Sequence, residues 1–257
     1  MDKRKKNTLI GTGAIFAAIA VLSGTVMGKK SKKNKQVQID ALKNDIYKTG
    51  NIRKLGTLYL NGVKQKCPKN FTNYEDIHEY IGQKIEIKDS DKNDINNLSW
   101  VEINENNKKL LICDRNILIG MSWNELNNQN LVFGKVVMIE GKKYMLRLLK
   151  GGDKKKDSEN NEWNQYIVNE DEILGLPIST QYDKSDKVKN NNIDKINGEN
   201  NNLWHWHEMC SLTQNTYKKG ENSCVIRGFY SNTYFNDVKK EVSYKTVGYR
   251  PVLELID

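Results

Sequence analysis

Leu131-Val-Phe-Gly-Lys-Val-Val-Met-Ile139 and Lys143-Tyr-Met-Leu-Arg-Leu-Leu149 stand on either side of Glu140-Gly141. β-Branched and aromatic residues favour strands in both arms, and Gly141 tolerates the positive φ of a tight turn, so the stretch reads as a β-hairpin. The same pattern continues outward. Residues 98–103 and 110–114 flank a turn at 104–107, residues 84–88 alternate cleanly, and residues 55–60 run into Asn61-Gly62. Successive hairpins, without helices between strands, disfavour a parallel βαβ sheet. Helical signals are fewer. Val37, Ile39, Leu42, Ile46 and Tyr47 give a short imperfect pattern. Thr72-x-x-Glu75 is a capping box whose helix carries Tyr74, Ile77, His78 and Ile81 and stops at Gly82. Residues 162–174, with Trp163, Tyr166, Ile167 and Ile173, give another helix. Residues 183–202 read as an exposed loop, with only Val188, Ile193 and Ile196 apolar. An aromatic-rich stretch at 203–212 and strands at 224–228 and 249–256, the last interrupted by Pro251, close the chain. The expected class is α+β.

Charge is distributed unevenly. The 257 residues carry a formal +9. Nine Lys/Arg against Asp2 alone give +8 to residues 1–35, which leaves +1 for residues 36–257. The body is close to neutral, so no basic groove for phosphates explains the charge, and no nucleic-acid partner is expected. From Asn7 to Gly28 no charged residue occurs. A helix of about 20 residues covers the roughly 30 Å hydrocarbon core of a bilayer. That run, with its basic flanks, predicts a single-pass anchor in the cell membrane and an extracytoplasmic body, with a cleaved signal peptide as the alternative. Residues 29–35 form a basic tether.

Chemistry-bearing residues are sparse. Cys67, Cys113, Cys210 and Cys224 form no C-x-x-C pair, and small buried thiols are the expectation, with a Cys210–Cys224 disulfide as the alternative. Asp89-x-Asp91-x-Asn93 opens like a calcium loop, but Asp94 stands where glycine belongs and Trp100 where a bidentate Glu belongs. His205-x-His207 would point both imidazoles to one face of a strand, within reach of a metal. The alternation with Trp204 and Trp206 equally describes aromatics packed inward and imidazoles outward. No G-x-S-x-G, P-loop, G-x-G-x-x-G or H-E-x-x-H occurs. Neither a cofactor nor a metal is expected.

The C-terminal third carries three further motifs: Leu203-Trp-His-Trp-His-Glu208, Ser223-Cys-Val-Ile-Arg-Gly-Phe-Tyr-Ser-Asn232 and Val247-Gly-Tyr-Arg-Pro-Val-Leu-Glu254. Their order resembles the C-type-lectin-like fold used in the formylglycine-generating-enzyme superfamily and in the variable ligand-binding proteins of diversity-generating retroelements. It is also similar to proteins of low-GC Gram-positive bacteria and their phages, in which a segment like residues 133–152 precedes the same ending. The resemblance covers residues 131–256. It implies structural roles for Arg227, Gly228, Gly248 and Arg250. It also implies a ligand-facing stretch with Phe229, Tyr230, Asn232, Tyr234, Phe235, Asn236 and Tyr244. The catalytic cysteine pair of the formylglycine enzymes has no counterpart. The expected layout is a tail and transmembrane helix (1–28), the tether (29–35), a small hairpin-rich α+β region (36–130) and a C-type-lectin-like domain (131–257). The expected function is a membrane-tethered, non-catalytic binding module for a protein or glycan ligand. The alternatives are an enzyme using Cys210/Cys224 or His205/His207 and a structural membrane protein that contacts other proteins.

Overall fold

Period-two alternation of apolar side chains dominates the architecture. A computed structural model describes residues 47–69, 77–153, 161–176 and 203–256. The first strands are β1 (Ile52–Leu60), β2 (Val63–Lys64), β3 (His78–Glu79), β4 (Ile85–Lys88), β5 (Asn97–Glu105), β6 (Lys108–Cys113) and β7 (Leu118–Ile119). The remainder are β8 (Lys135–Ile139), β9 (Lys142–Leu148), β10 (Cys210–Thr216), β11 (Ser223–Gly228), β12 (Phe235–Lys239), β13 (Val247–Tyr249) and β14 (Pro251–Leu255). They form one sheet in the order β2-β1-β5-β6-β14-β9-β8, with β4 also on β1, and a second in the order β12-β11-β10-β13-β7-β3. Tyr47–Asp257 is one compact unit. Strands from both sides of residue 130 share both sheets, so a domain boundary at 130/131 has no counterpart there.

The first sheet works on both faces. Leu98 and Trp100 of β5, Leu111 and Cys113 of β6, Tyr144 and Leu146 of β9 and Leu253 of β14 enter one core. The intervening Val101, Ile103, Leu110, Ile112 and Val252 enter another, beneath Trp163, Tyr166, Trp204 and Trp206. Strands buried on both faces lose polar alternation, which is why β6 reads Leu-Leu-Ile-Cys. Each fully buried Leu or Ile contributes about 2 kcal/mol. β1 breaks register with β5 between Lys54 and Thr57, the kind of bulge that bends a strand and increases its twist. Gly56, at φ +67°, occupies the break and donates its N–H to Ser90 Oγ at 2.9 Å. Glu140 N–H donates to Asp89 Oδ1 at 2.6 Å, which ties the β8–β9 turn to the loop after β4.

The expected α+β class is corrected to a mostly β fold. Helical structure among the described residues is short: α1 (Trp123–Asn128), a 3-10 turn (Asp94–Asn96), a π-helix (Trp163–Val168) and helical residues at 203–204. The helix anticipated over 162–174 is that six-residue π-helix, which ends at Asn169 in the left-handed region, φ 58°. Its aromatic and aliphatic residues are core-facing for packing, not a helix-long stripe. His78 belongs to β3, not to a helix, and its Nε2 lies 2.8 Å from Lys66 O. The single-pass, extracytoplasmic membrane protein is corrected as well: among the described residues no helix is long and apolar enough to cross a membrane. The run from Asn7 to Gly28, the tether, the Thr72–Glu75 box and the 183–202 loop lie outside the described residues.

Hairpin turns do stand where glycine and asparagine allow them. Asn61 and Gly62 have φ of 50° and 79°, and Glu140 and Gly141 have 50° and 75°. Both pairs close antiparallel ladders, β1–β2 and β8–β9.

Candidate functional site

Two chain segments pass together from one sheet to the other. β6 ends at Cys113 and, through Asp114-Arg115-Asn116-Ile117, feeds β7 in the second sheet. Running the other way, β13 becomes β14 through the single residue Arg250. β14 pairs with β6 in the first sheet and β13 with β7 in the second, and Ile117 N–H donates to Tyr249 O at 2.8 Å across the junction. Gly248 permits this crossing: a Cβ there would lie 2.7 Å from Asn116 Cβ and 2.8 Å from Leu118 O.

Arg250 fills the junction. It is fully buried and donates from Nε to Ser211 Oγ (3.0 Å), from Nη1 to Cys113 O (3.1 Å) and from Nη2 to His205 O (3.2 Å). Arg227, at the end of β11, is also fully buried. Its Nε donates to Tyr234 O at 3.1 Å, Nη1 to Gly151 O at 2.8 Å and Nη2 to Asn164 Oδ1. Burial pulls the Arg227 guanidinium down to about 9 and that of Arg250 to about 10; both stay protonated at neutral pH. Trp163 lies between them, its ring 5.8 Å from the Arg227 guanidinium carbon and 5.6 Å from that of Arg250.

On this support sits the turn that leaves β11. Gly228 has φ +90° and a would-be Cβ 3.0 Å from Met209 O, so only glycine fits. Phe229 follows at φ 99°, where an aromatic residue is strained. It is held by a parallel bridge to His207, with Phe229 N–H to Trp206 O and Glu208 N–H to Phe229 O, both 2.9 Å. His205 (φ 42°) and Glu208 (φ 58°) are also left-handed, so three strained residues meet at one bridge. Trp163 Nε1 donates to Asn232 O at 2.6 Å and Tyr234 N–H to Ser231 O at 3.1 Å, fixing the turn.

The residues singled out by sequence do not all share one environment. Phe229, Tyr230 and Tyr234 form an edge-to-face cluster with ring centroids 4.6 and 5.3 Å apart. Tyr230 is 47% exposed and Tyr244 42%. Asn236 is exposed and donates to Tyr234 Oη at 2.8 Å. Phe229, Tyr234 and Phe235 are half-buried, and Asn232 is buried at 1%. Phe235 also stacks near Arg227, 5.4 Å from its guanidinium carbon. The sequence offered no sign that Trp163, Gly151 and Asn164 would meet Arg227, since each lies more than 60 residues away from it along the chain.

The imidazoles and thiols are placed for packing. His205 is buried rather than outward, and His207 is half-buried. No cluster of three His, Cys, Asp or Glu suited to a metal occurs among the described residues. All four cysteines are free thiols. Burial pushes Cys210 and Cys224 up to about 12, and Cys67 and Cys113 upward too, the opposite of an activated nucleophile. A thiol reagent at neutral pH is therefore expected to leave Cys113, Cys210 and Cys224 unmodified in the native protein and to modify all four after denaturation. Rapid native modification of Cys210 or Cys224 would contradict this burial.

Burial, reinforced by the Arg115 and Arg250 charges and opposed by Asp114, lowers His205 from its usual 6.5 to about 4. The unfolded chain therefore binds a proton first as pH falls, and stability drops between about 6.5 and 4, by about 2–3 kcal/mol. His207, lowered mainly by burial, acts in the same direction. Urea melts across this range should flatten for His205→Gln relative to the parent; identical slopes would rule out His205 as the source.

No family model matches the chain, and neither a curated protein nor a solved structure matches it.

Proposed function

We propose that this chain is a non-catalytic binding module whose ligand face is built from Phe229, Tyr230, Tyr234, Asn236 and Tyr244 and accepts a protein or glycan. The observation that carries the proposal is the Phe229–Tyr230–Tyr234 ring cluster, partly exposed yet mounted on a turn fixed by Arg227 and Trp163. Rigid aromatics lose little conformational entropy on binding, and neighbouring asparagines supply adaptable hydrogen bonds. The resemblance of residues 223–254 to variable ligand-binding proteins points the same way. Buried, protonated thiols give no support to a cysteine enzyme.

The test is an array of immobilised glycans and peptides probed with the full chain and its Tyr230→Ala and Tyr244→Ala variants. These exposed substitutions should change stability by no more than about 0.5–1 kcal/mol. Binding to at least one array component should fall tenfold or more in the variants. Equal binding by all three proteins, or no binding by the parent, would overturn the proposal.

A further inference from the structure

The turn between β1 and β2 is Asn61-Gly62, one of two Asn-Gly dipeptides in the chain. An asparagine followed by glycine can lose its amide without an enzyme. The glycine nitrogen attacks the side-chain carboxamide carbon and closes a five-membered ring, and the missing Cβ on glycine leaves that approach open. In a folded protein the outcome depends on whether the fold frees the nucleophile and steadies the oxyanion.

This turn does both. Asn61 and Gly62 are exposed. Among the described residues the Gly62 N–H has no hydrogen-bond partner. No atom lies within 4 Å of where a Cβ would stand on Gly62. Deprotonating that amide therefore breaks no internal bond, and hydroxide can reach it. Asn61 Oδ1 accepts from Lys84 N–H at 2.7 Å. Negative charge gathers on this oxygen as Cγ is attacked, so a fixed backbone donor stands where the transition state needs one. Asn61 N–H donates back to Lys84 O at 3.0 Å, which holds the two residues together. Asn106, Asn107, Asn130 and Asn169 share the positive φ, but each is followed by a residue with a bulky side chain.

The geometry points to Asn61 as a site of spontaneous deamidation in the folded protein, with the Lys84 N–H as its oxyanion donor. The bond from Gly62 N to Asn61 Cγ forms as the Gly62 amide proton passes to hydroxide, and Nδ2 departs as ammonia. Water then opens the succinimide. Addition at Cγ gives aspartate at position 61, and addition at the backbone carbonyl gives isoaspartate. Either product carries one new negative charge. Isoaspartate also routes the main chain through Cγ, which lengthens a two-residue turn by one methylene and loosens its link to β4.

The test incubates the full native chain in mildly alkaline buffer and maps its peptides by mass spectrometry, with a protein isoaspartyl methyltransferase reporting the isoaspartyl product. Asn61 should be the most extensively converted asparagine among the described residues. Lys84→Pro lacks the N–H and places proline just before β4, where it is tolerated, so conversion should slow several-fold. The parent chain unfolded in urea is the second comparison, independent of whether that variant folds. Conversion at Asn61 in the native protein should match or exceed conversion there in the unfolded chain. Slower conversion in the native protein than in urea would overturn the inference, as would an unchanged rate in folded Lys84→Pro.

Discussion

Replacing Arg250 by alanine is expected to cost about 3–5 kcal/mol, because several buried acceptors lose their donor together. Ser211 Oγ, Cys113 O and His205 O would be left unpaired at the junction of the two sheets. Arg250→Lys retains the charge but cannot reproduce a fork that reaches three elements, so it should recover less than half of the loss. Urea denaturation measures both variants. A cost below about 1 kcal/mol for Arg250→Ala would mean that the junction is held by its strand pairing alone.

The second large effect is expected from Gly248→Ala. The added Cβ would sit 2.7–2.8 Å from Asn116 and from the Leu118 carbonyl, and the carbonyl belongs to backbone that cannot swing aside. Overpacking of this kind costs about 1–3 kcal/mol, and the backbone contact places Gly248 at the upper end. Gly141→Ala is the control. No atom lies within 4 Å of a Cβ there, and the cost is limited to backbone strain at φ +75°. Thermal melts that rank Gly141→Ala as the more damaging change would refute the close approach of β7 and β13.

Much of the strand pattern was legible because local chemistry fixes it. Asn61-Gly62 and Glu140-Gly141 need positive φ, and the flanking residues alternate or are apolar throughout. The helical content was misread because periodicity cannot separate a short buried segment from a long helix. Trp163, Tyr166 and Ile167 pack into the core from a π-helix of only six residues. Conversely, Ser122 and Glu125 form a capping box that opens α1, a local sequence signal for a helix start. The ring cluster was partly readable from the run of Tyr and Asn after Gly228. What no local pattern encodes is that Asn232 would be buried while Tyr230, two residues before it, stays half exposed. That contrast comes from Trp163 reaching across 69 residues to the Asn232 carbonyl.

The position of β14 has a consequence for how the molecule is made. This strand lies between β6 and β9, inside the first sheet, yet it is the last of the described strands and follows β9 by more than a hundred residues. During synthesis β6 and β9 leave the ribosome more than a hundred residues before the segment that separates them, and each would expose an unsatisfied ladder edge meanwhile. Direct pairing of β6 with β9 would be a trap, since it must open again to admit β14. Pairings this distant in sequence also form slowly. The nascent chain thus depends on whatever shields those two edges until Leu255 emerges, and C-terminal truncation ahead of Pro251 should leave a chain that never closes its first sheet.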